Sequence, residues 1–197
     1  MPKTIGLCGG SGSGKGAVGS FFSKNGYLVI DTDKVYREIT DKTSHCLDAL
    51  VCEFGTDILT CDGKLDRKNL AAIVFSDKKK LNVLNAISHK FILERVRSII
   101  NDAKNDGYAG FVVDAPLLYE SGFDKECDIV IAVVSDVEKR VERIMKRDGL
   151  TREAAVKRIS SQTTDEHISS LSDFVIENNG DLDVLRKKVE KIIKDIS

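Results

Sequence analysis

Ile5-Gly-Leu-Cys-Gly-Gly-Ser-Gly-Ser-Gly-Lys15-Gly-Ala-Val18 is the stretch whose reading decides the rest of the chain. Gly9, four further residues and then Gly14-Lys15 have the spacing of a phosphate-binding loop. In such a loop glycines turn several backbone N–H groups into one concavity, the following helix presents its positive end, and the lysine adds a mobile cation. Gly10, Ser11, Gly12, Ser13, Gly14, Lys15, Gly16 and Ala17 are therefore expected to hold the phosphates of a nucleoside triphosphate. The pattern normally finishes with Ser or Thr, whose hydroxyl reaches magnesium, whereas Gly16 and Ala17 follow Lys15 here.

Outward from the loop, Thr4 to Cys8 is a short apolar run, and Lys15 to Lys24 carries Val18, Phe21 and Phe22 at helical spacing. This is the strand, loop and helix that a phosphate loop requires. Asn25-Gly26 makes a turn, Tyr27 to Ile30 reads as a second strand, and Asp31-Thr32-Asp33 follows its C-terminal end. In open parallel α/β sheets that edge is where ligands bind. Lys34 to about Asn105 reads as mainly helical, broken near Gly55 and at Cys61-Asp62-Gly63-Lys64. About 70 residues without a strand are long for one crossover and predict a helical subdomain over the sheet edge. Gly110 to Val113, Asp128 to Val134 and Phe174 to Ile176 complete five strands, and Asp181 to Ile196 is a terminal amphipathic helix. Continuous apolar runs such as Ile129 to Val134 suit strands buried on both faces. Ser135 with Glu138 three residues later has the form of a capping box that starts a helix. The fold class is thus α/β: three layers around a five-stranded parallel sheet, with a core of about 1–33, 106–138 and 163–197.

Composition narrows the function. With 42% hydrophobic and 31% charged residues in 197, the chain fits one domain with inserted subdomains. Thirty basic residues against 31 acidic ones leave a net charge of −1, so no global field attracts nucleic acid or an anionic membrane. No run approaches the roughly 18 apolar residues of a membrane span, and Met-Pro-Lys followed by a strand is not a signal peptide, so a cytoplasmic location is expected. Five cysteines without a C-x-x-C pair argue against a disulfide framework or a structural zinc site.

Lys139 to Arg158 holds eight basic residues against three acidic ones, a local charge of +5. At about 100° per residue, Arg140, Arg143 and Arg147 fall within one narrow arc beside the apolar stripe of Val137, Val141 and Ile144. Asp148-Gly149-Leu150-Thr151 breaks this helix and starts another. Two basic helices on a hinge, about 139–162, are how a lid that closes arginines onto phosphates would look, and a solvated charged face is the plainer alternative. Two compatible roles fit Asp33: a carboxylate that deprotonates an acceptor hydroxyl or reaches magnesium through water, and a cap for a helix starting at Lys34. Asp31 fits a metal shell or a turn equally. Asp114, ending another strand, is a second carboxylate placed to aid a metal through water, and His89 reads as an ordinary helical histidine.

Taken together, Ile5 to Lys15, Val29-Ile-Asp-Thr-Asp33, Phe54-Gly, Asp62-Gly-Lys-Leu-Asp-Arg67, Ile87-Ser-His89, Asp114-Ala-Pro-Leu-Leu-Tyr-Glu120, Arg143 with Arg147-Asp148, Gln162 and Asp173 to Gly180 resemble the dephospho-coenzyme A kinases. These are P-loop kinases related in fold to nucleoside monophosphate kinases, and the resemblance runs nearly end to end. It implies transfer of the ATP γ-phosphoryl group to the ribose 3′-hydroxyl of dephospho-CoA, with Mg²⁺ accompanying ATP. It implies that Lys15, Asp33 and Arg143 are catalytic, Lys15 with the loop amides holding the β- and γ-phosphates and Asp33 acting as base. Arg143 and Arg147 would belong to the lid, with Arg147 on ATP, and Asn178 and Asn179 would lie near the adenine. Arg67, His89, Leu117, Leu118 and Glu120 would line the acceptor side, making the helical region about 34–105 the CoA-side subdomain. Asp33 and Asp114 would hold the metal through water.

Three positions depart from the pattern of that family: Gly16 stands for the usual Ser, Lys90 follows His89 where Pro is usual, and Arg140 replaces a common Gln. The first touches chemistry, because the metal loses a direct protein oxygen, and weaker metal affinity in an active enzyme is the expectation. The expected partners are ATP and dephospho-CoA, with no nucleic acid or membrane, in a monomer or weak homo-oligomer. Two other readings stand beside this one: a related small-metabolite or nucleotide kinase, and a nucleotide-binding protein whose catalysis is impaired. A GTPase would need the Asn-Lys-x-Asp guanine motif, which does not occur.

Overall fold

The computed structural model describes residues 2–41 and 44–196; Met1, Lys42, Thr43 and Ser197 lie outside them. The chain divides into two compact units, Met1–Ile30 with Lys104–Ser197, and Asp31–Ala103.

The first unit is built on a five-stranded sheet of β1 (Lys3–Cys8), β2 (Tyr27–Asp31), β3 (Gly110–Asp114), β4 (Ile129–Val134) and β5 (Phe174–Glu177), in the order β2-β3-β1-β4-β5. β1 lies at the centre, parallel to β3 with Leu7 opposite Asp114, and parallel to β4 with Cys8 opposite Ala132. Alternation along the strands sends Ile5 and Leu7 to one face and Gly6 and Cys8 to the other. On the first face Ile5, Leu7, Ile131 and Val133 pack with Val18 and Phe22 of α1 (Lys15–Lys24) and with Leu185 and Val189 of the C-terminal helix (Leu182–Ile196). On the second face Leu118 and Cys127 sit over Gly6, where a Cβ would meet them at 2.8 and 2.9 Å. Each central strand is buried from both sides, which is why its sequence is continuously apolar: Ile131, Ala132 and Val133 are all 0% exposed.

The second unit is helical: α2 (Thr32–Thr40), α3 (His45–Phe54), α4 (Arg67–Val74) and α5 (Lys78–Asp102). Its own core joins Leu47, Leu50, Ile58, Leu65, Leu70 and Val74 to Leu81, Leu84, Ile87 and Phe91 along α5. Each helix starts at a side-chain cap, Asp31, Ser44, Asp66 and Asp77 in turn, whose oxygen accepts from first-turn N–H groups. The break at Cys61 to Lys64 is a tight turn closed by a bridge between Leu59 and Leu65.

The remaining helices belong to the first unit: α6 (Val137–Asp148), α7 (Arg152–Ser160), α8 (Asp165–Leu171) and α9 (Leu182–Ile196), the C-terminal helix already met. α6 and α7 form a hairpin around Val141, Ile144 and Ala155, with Leu150 and Ile159 against them. Gly149, at φ 66°, closes α6. Salt bridges Arg152–Glu138 at 2.7 Å and Arg158–Asp148 at 2.6 Å link the first turns of the two helices and their last turns.

Two local expectations differ from the structure. α2 begins at Thr32, and its cap is Asp31, whose Oδ1 accepts from Asp33 N and Lys34 N at 3.0 and 3.1 Å. Asp33 is therefore an exposed first-turn residue and not the cap. Ser135 and Glu138 make no capping box either. The Ser135 hydroxyl donates to Asn178 O or Asn179 Oδ1, both at 2.9 Å, and α6 starts after Asp136 with no side-chain cap. A tertiary acceptor took the hydroxyl that the local pattern assigned to the helix.

Candidate active site

The loop from Gly9 to Gly14 connects β1 to α1 and is made possible by glycine at two kinds of position. Gly9 takes φ 147° with Val133 O where a Cβ would lie at 2.3 Å, and Gly14 takes φ 100° with Asn178 Nδ2 in the place of its Cβ. Within the loop Ser13 N–H donates to Gly10 O at 3.1 Å, closing a turn. At the start of α1 the N–H groups of Lys15 and Gly16 have no intrahelical acceptor, as in any helix.

The loop carbonyls are held by two arginines and an asparagine. Arg140 Nε donates to Ser11 O at 2.9 Å. Arg143 Nη1 lies 3.1 Å from Gly12 O and 3.3 Å from Ser13 O, and Asn178 Nδ2 donates to Ser13 O at 2.7 Å. Arg143 also donates to Ser135 Oγ and, at 2.9 Å, to Asn178 O. Three consecutive carbonyls thus face guanidinium or amide donors, while Ser11 N–H is taken by Gln162 Oε1 at 2.9 Å and Ser13 N–H by Gly10 O, so the N–H groups that remain for a ligand are those at the start of α1.

Lys15 Nζ lies 3.5 Å from Asp114 Oδ1, both side chains being largely buried. Because Leu7 and Asp114 are opposite each other in β1 and β3, the strand register puts this carboxylate beside the end of the loop strand. At Gly16 an added Cβ would meet nothing within 4 Å. Among the described residues no group of three or more His, Cys, Asp and Glu could hold a metal ion.

The other first-unit residues expected in a site take varied places. Arg147 is exposed and pairs with Asp148 at 2.7 Å. Two arginines, Arg147 and Arg158, hold the Asp148 carboxyl at about 2, well below the usual range. Asn179 binds the start of α6, accepting from Asp136 N and donating to Asp136 Oδ1. Leu117 is 42% exposed, Glu120 accepts from Thr163 Oγ1 at 2.9 Å, and Leu118 is wholly buried under the sheet. Leu118 thus supports its segment from beneath and lines no open surface. Beside it Tyr119 OH meets Ser172 Oγ at 2.8 Å, and burial pushes the Tyr119 hydroxyl up to about 12.

In the helical unit Asp33 is exposed and His89 is half-buried on α5. Arg67 donates to Thr40 Oγ1 and Asp41 Oδ1, both at 2.9 Å, with its guanidinium 5.9 Å from the Tyr36 ring centre.

The contribution of Arg140 was not legible as a lid residue. It is 3% exposed and pairs with Asp165 at 2.8 Å, with Gln162 Oε1 at 3.2 Å from Nη2. On the helical wheel it lies at the edge of the apolar stripe, about 40° from Ile144, a place that leaves its burial open. Asp165 carried no signal.

The dephospho-CoA kinase family model matches residues 3–183. Dephospho-CoA kinase of Corynebacterium glutamicum is 41% identical over 192 residues, covering 98% of this chain and 96% of that protein. The chain belongs to the dephospho-CoA kinase family. The Fusobacterium nucleatum dephospho-CoA kinase is likewise 41% identical, over 98% of this chain and 97% of its own length. The solved dephospho-CoA kinase of Campylobacter jejuni superposes with a TM-score of 0.72 at 28% identity, covering 100% of this chain and 98% of that one. The kinase thus has the P-loop kinase fold expected from its first strand and loop, and no helix among its described residues is long and apolar enough to cross a membrane.

Proposed function

We propose that this kinase transfers the γ-phosphoryl group of ATP to the ribose 3′-hydroxyl of dephospho-CoA, giving CoA and ADP. The reading is supported above all by the loop: carbonyls held by Arg140, Arg143 and Asn178, the first N–H groups of α1 without intrahelical acceptors, and Lys15 beside them, paired with Asp114.

In the proposed reaction the 3′-oxygen forms a bond to the γ-phosphorus and the bond from that phosphorus to the β,γ-bridging oxygen breaks. ADP leaves with the electron pair, and the hydroxyl proton passes to the Asp33 carboxylate. Asp33 is exposed in the first turn of α2, where the cap is Asp31. Lys15 and Arg143 stabilise charge that develops on the phosphates, where fixed cations act most strongly. Arg67, His89, Leu117 and Glu120 are the proposed acceptor-side residues, and Arg147, Asn178 and Asn179 belong to the nucleotide side.

Magnesium, when bound with ATP, would supply neutralisation of phosphate charge at this site. The residues present fit an ion held mainly by phosphate and water: no cluster among the described residues could enclose one, the Gly16 position is open, and Asp114 offers a carboxylate at the loop. Asp114 is the residue of this unit that would hold a metal-bound water.

A coupled ADP-release assay with dephospho-CoA, run beside Asp33→Asn, tests the reading. The variant is expected to lose at least about a hundredfold in kcat with the ATP KM little changed. Near-normal turnover would remove Asp33 from its role. ADP release with another hydroxyl acceptor and none with dephospho-CoA would reject the reaction.

A further inference from the structure

Arg140 puts a guanidinium into the protein behind the phosphate loop, where it is 3% exposed. A cation so buried is costly unless each of its N–H directions finds an acceptor. Here each nitrogen reaches a different segment. Nε donates to Ser11 O at 2.9 Å on the loop, Nη1 to Asp165 Oδ1 at 2.8 Å on the first residue of α8, and Nη2 to Gln162 Oε1 at 3.2 Å in the turn after α7. Gln162 then grips the same loop residue, accepting from Ser11 N at 2.9 Å and donating to Ser11 Oγ at 3.2 Å. Ser11 therefore has its N–H, its carbonyl and its hydroxyl all engaged by two side chains.

The loop and Arg140 also interlock sterically. A Cβ on Gly10 would run into the guanidinium, and one on Gly12 would lie 2.6 Å from the Arg140 carbonyl oxygen. A glycine-rich loop loses more conformational freedom on ordering than any other kind of chain. Bracketing Ser11 from both sides orders it before a ligand arrives, and preorganisation of this kind appears as affinity.

We propose that Arg140, held by Asp165 and acting with Gln162 through Ser11, is a positioning residue that presets the phosphate loop for nucleotide. The inference rests on the reading of the loop as the ATP site, and goes beyond it by assigning part of nucleotide affinity to a charge pair that touches no phosphate.

Calorimetric titration of ADP, with no acceptor present, tests it on the wild type, Asp165→Asn, Arg140→Lys and Gln162→Ala, well below their unfolding temperatures. Asp165→Asn and Arg140→Lys are each expected to weaken ADP binding about tenfold, the scale of one charge-assisted hydrogen bond. The ATP KM should rise by the same factor, the dephospho-CoA KM should stay unchanged, and Asp165→Glu should recover most of the affinity. Folded variants with lowered thermal midpoints but wild-type ADP affinity would show a structural brace and overturn the proposal. Should Arg140→Lys fail to fold, Asp165→Asn and Gln162→Ala decide it, since both side chains are partly exposed. A wild type that binds ADP but gives no dephospho-CoA-dependent turnover would count against the proposed function and leave this result standing.

Discussion

Lys15 Nζ stands 3.5 Å from Asp114 Oδ1, so the cation of the phosphate loop has a carboxylate beside it. On the proposed function, a phosphate at Lys15 would compete with that carboxylate, whereas a metal-bound water would be welcomed by it. Asp114→Asn should therefore separate two effects. ADP affinity in EDTA should rise severalfold, and magnesium-dependent turnover should fall at least about tenfold. Calorimetry in EDTA beside a steady-state assay in magnesium measures both; a loss of metal-free affinity would make Asp114 a purely structural partner.

Gly16 occupies the second position of α1 in open space. Gly16→Ser should fit without displacement, lower the magnesium concentration needed for half-maximal activity severalfold, and stabilise the helix by about 0.5 kcal/mol from propensity alone. Magnesium titration of the ADP complex by calorimetry gives a second readout. Superimposable titration curves for the two proteins would show that the missing hydroxyl is irrelevant to the metal.

The five cysteines divide by burial. Burial pushes the Cys46 thiol up to about 11 and Cys127 to about 12, and raises Cys8 as well, while Cys52 and Cys61 are exposed. Iodoacetamide at pH 8 should label two thiols in the native kinase and five in urea, read by intact mass. Rapid native labelling of a third thiol would contradict this arrangement.

Asp148 sits between Arg147 and Arg158 at the end of the α6–α7 hairpin, with its carboxyl lowered from 3.8 to about 2. A carboxylate lowered in the folded state adds stability that is fully present above its unfolded value and drains away as pH falls through its folded one. The thermal midpoint of wild type should exceed that of Asp148→Asn from neutral pH down to about 4, and the gap should close toward pH 2. A gap that stays constant across this window would place the effect outside the titration of Asp148.

How far the site could be read in advance differs from residue to residue. Lys15 was legible because strand, glycines, lysine and helix are contiguous, and the cradle they make is local. Asp114 was legible as a strand-end carboxylate, but its place beside Lys15 depends on β1 and β3 being neighbours in register. Arg140 was misplaced on an outward face because a regular helix pattern reports periodicity and is silent about which charged residue a partner helix will bury. Its partner Asp165 lies 25 residues away, on a different helix.

By itself, then, the sequence determined the elements whose causes are short-ranged: five strands from their apolar runs, the phosphate loop from its glycine spacing, and the hairpin of α6 and α7 from the Asp148 to Thr151 break. Tertiary structure alone decided which donors hold the loop carbonyls, why Ser135 serves Asn178 and Asn179 instead of capping α6, and that Arg140 is buried against the loop. The physical reason is range. A turn or helix closes its hydrogen bonds within a few residues, whereas a buried guanidinium must find acceptors wherever the fold brings them, here from Ser11, Gln162 and Asp165 at once.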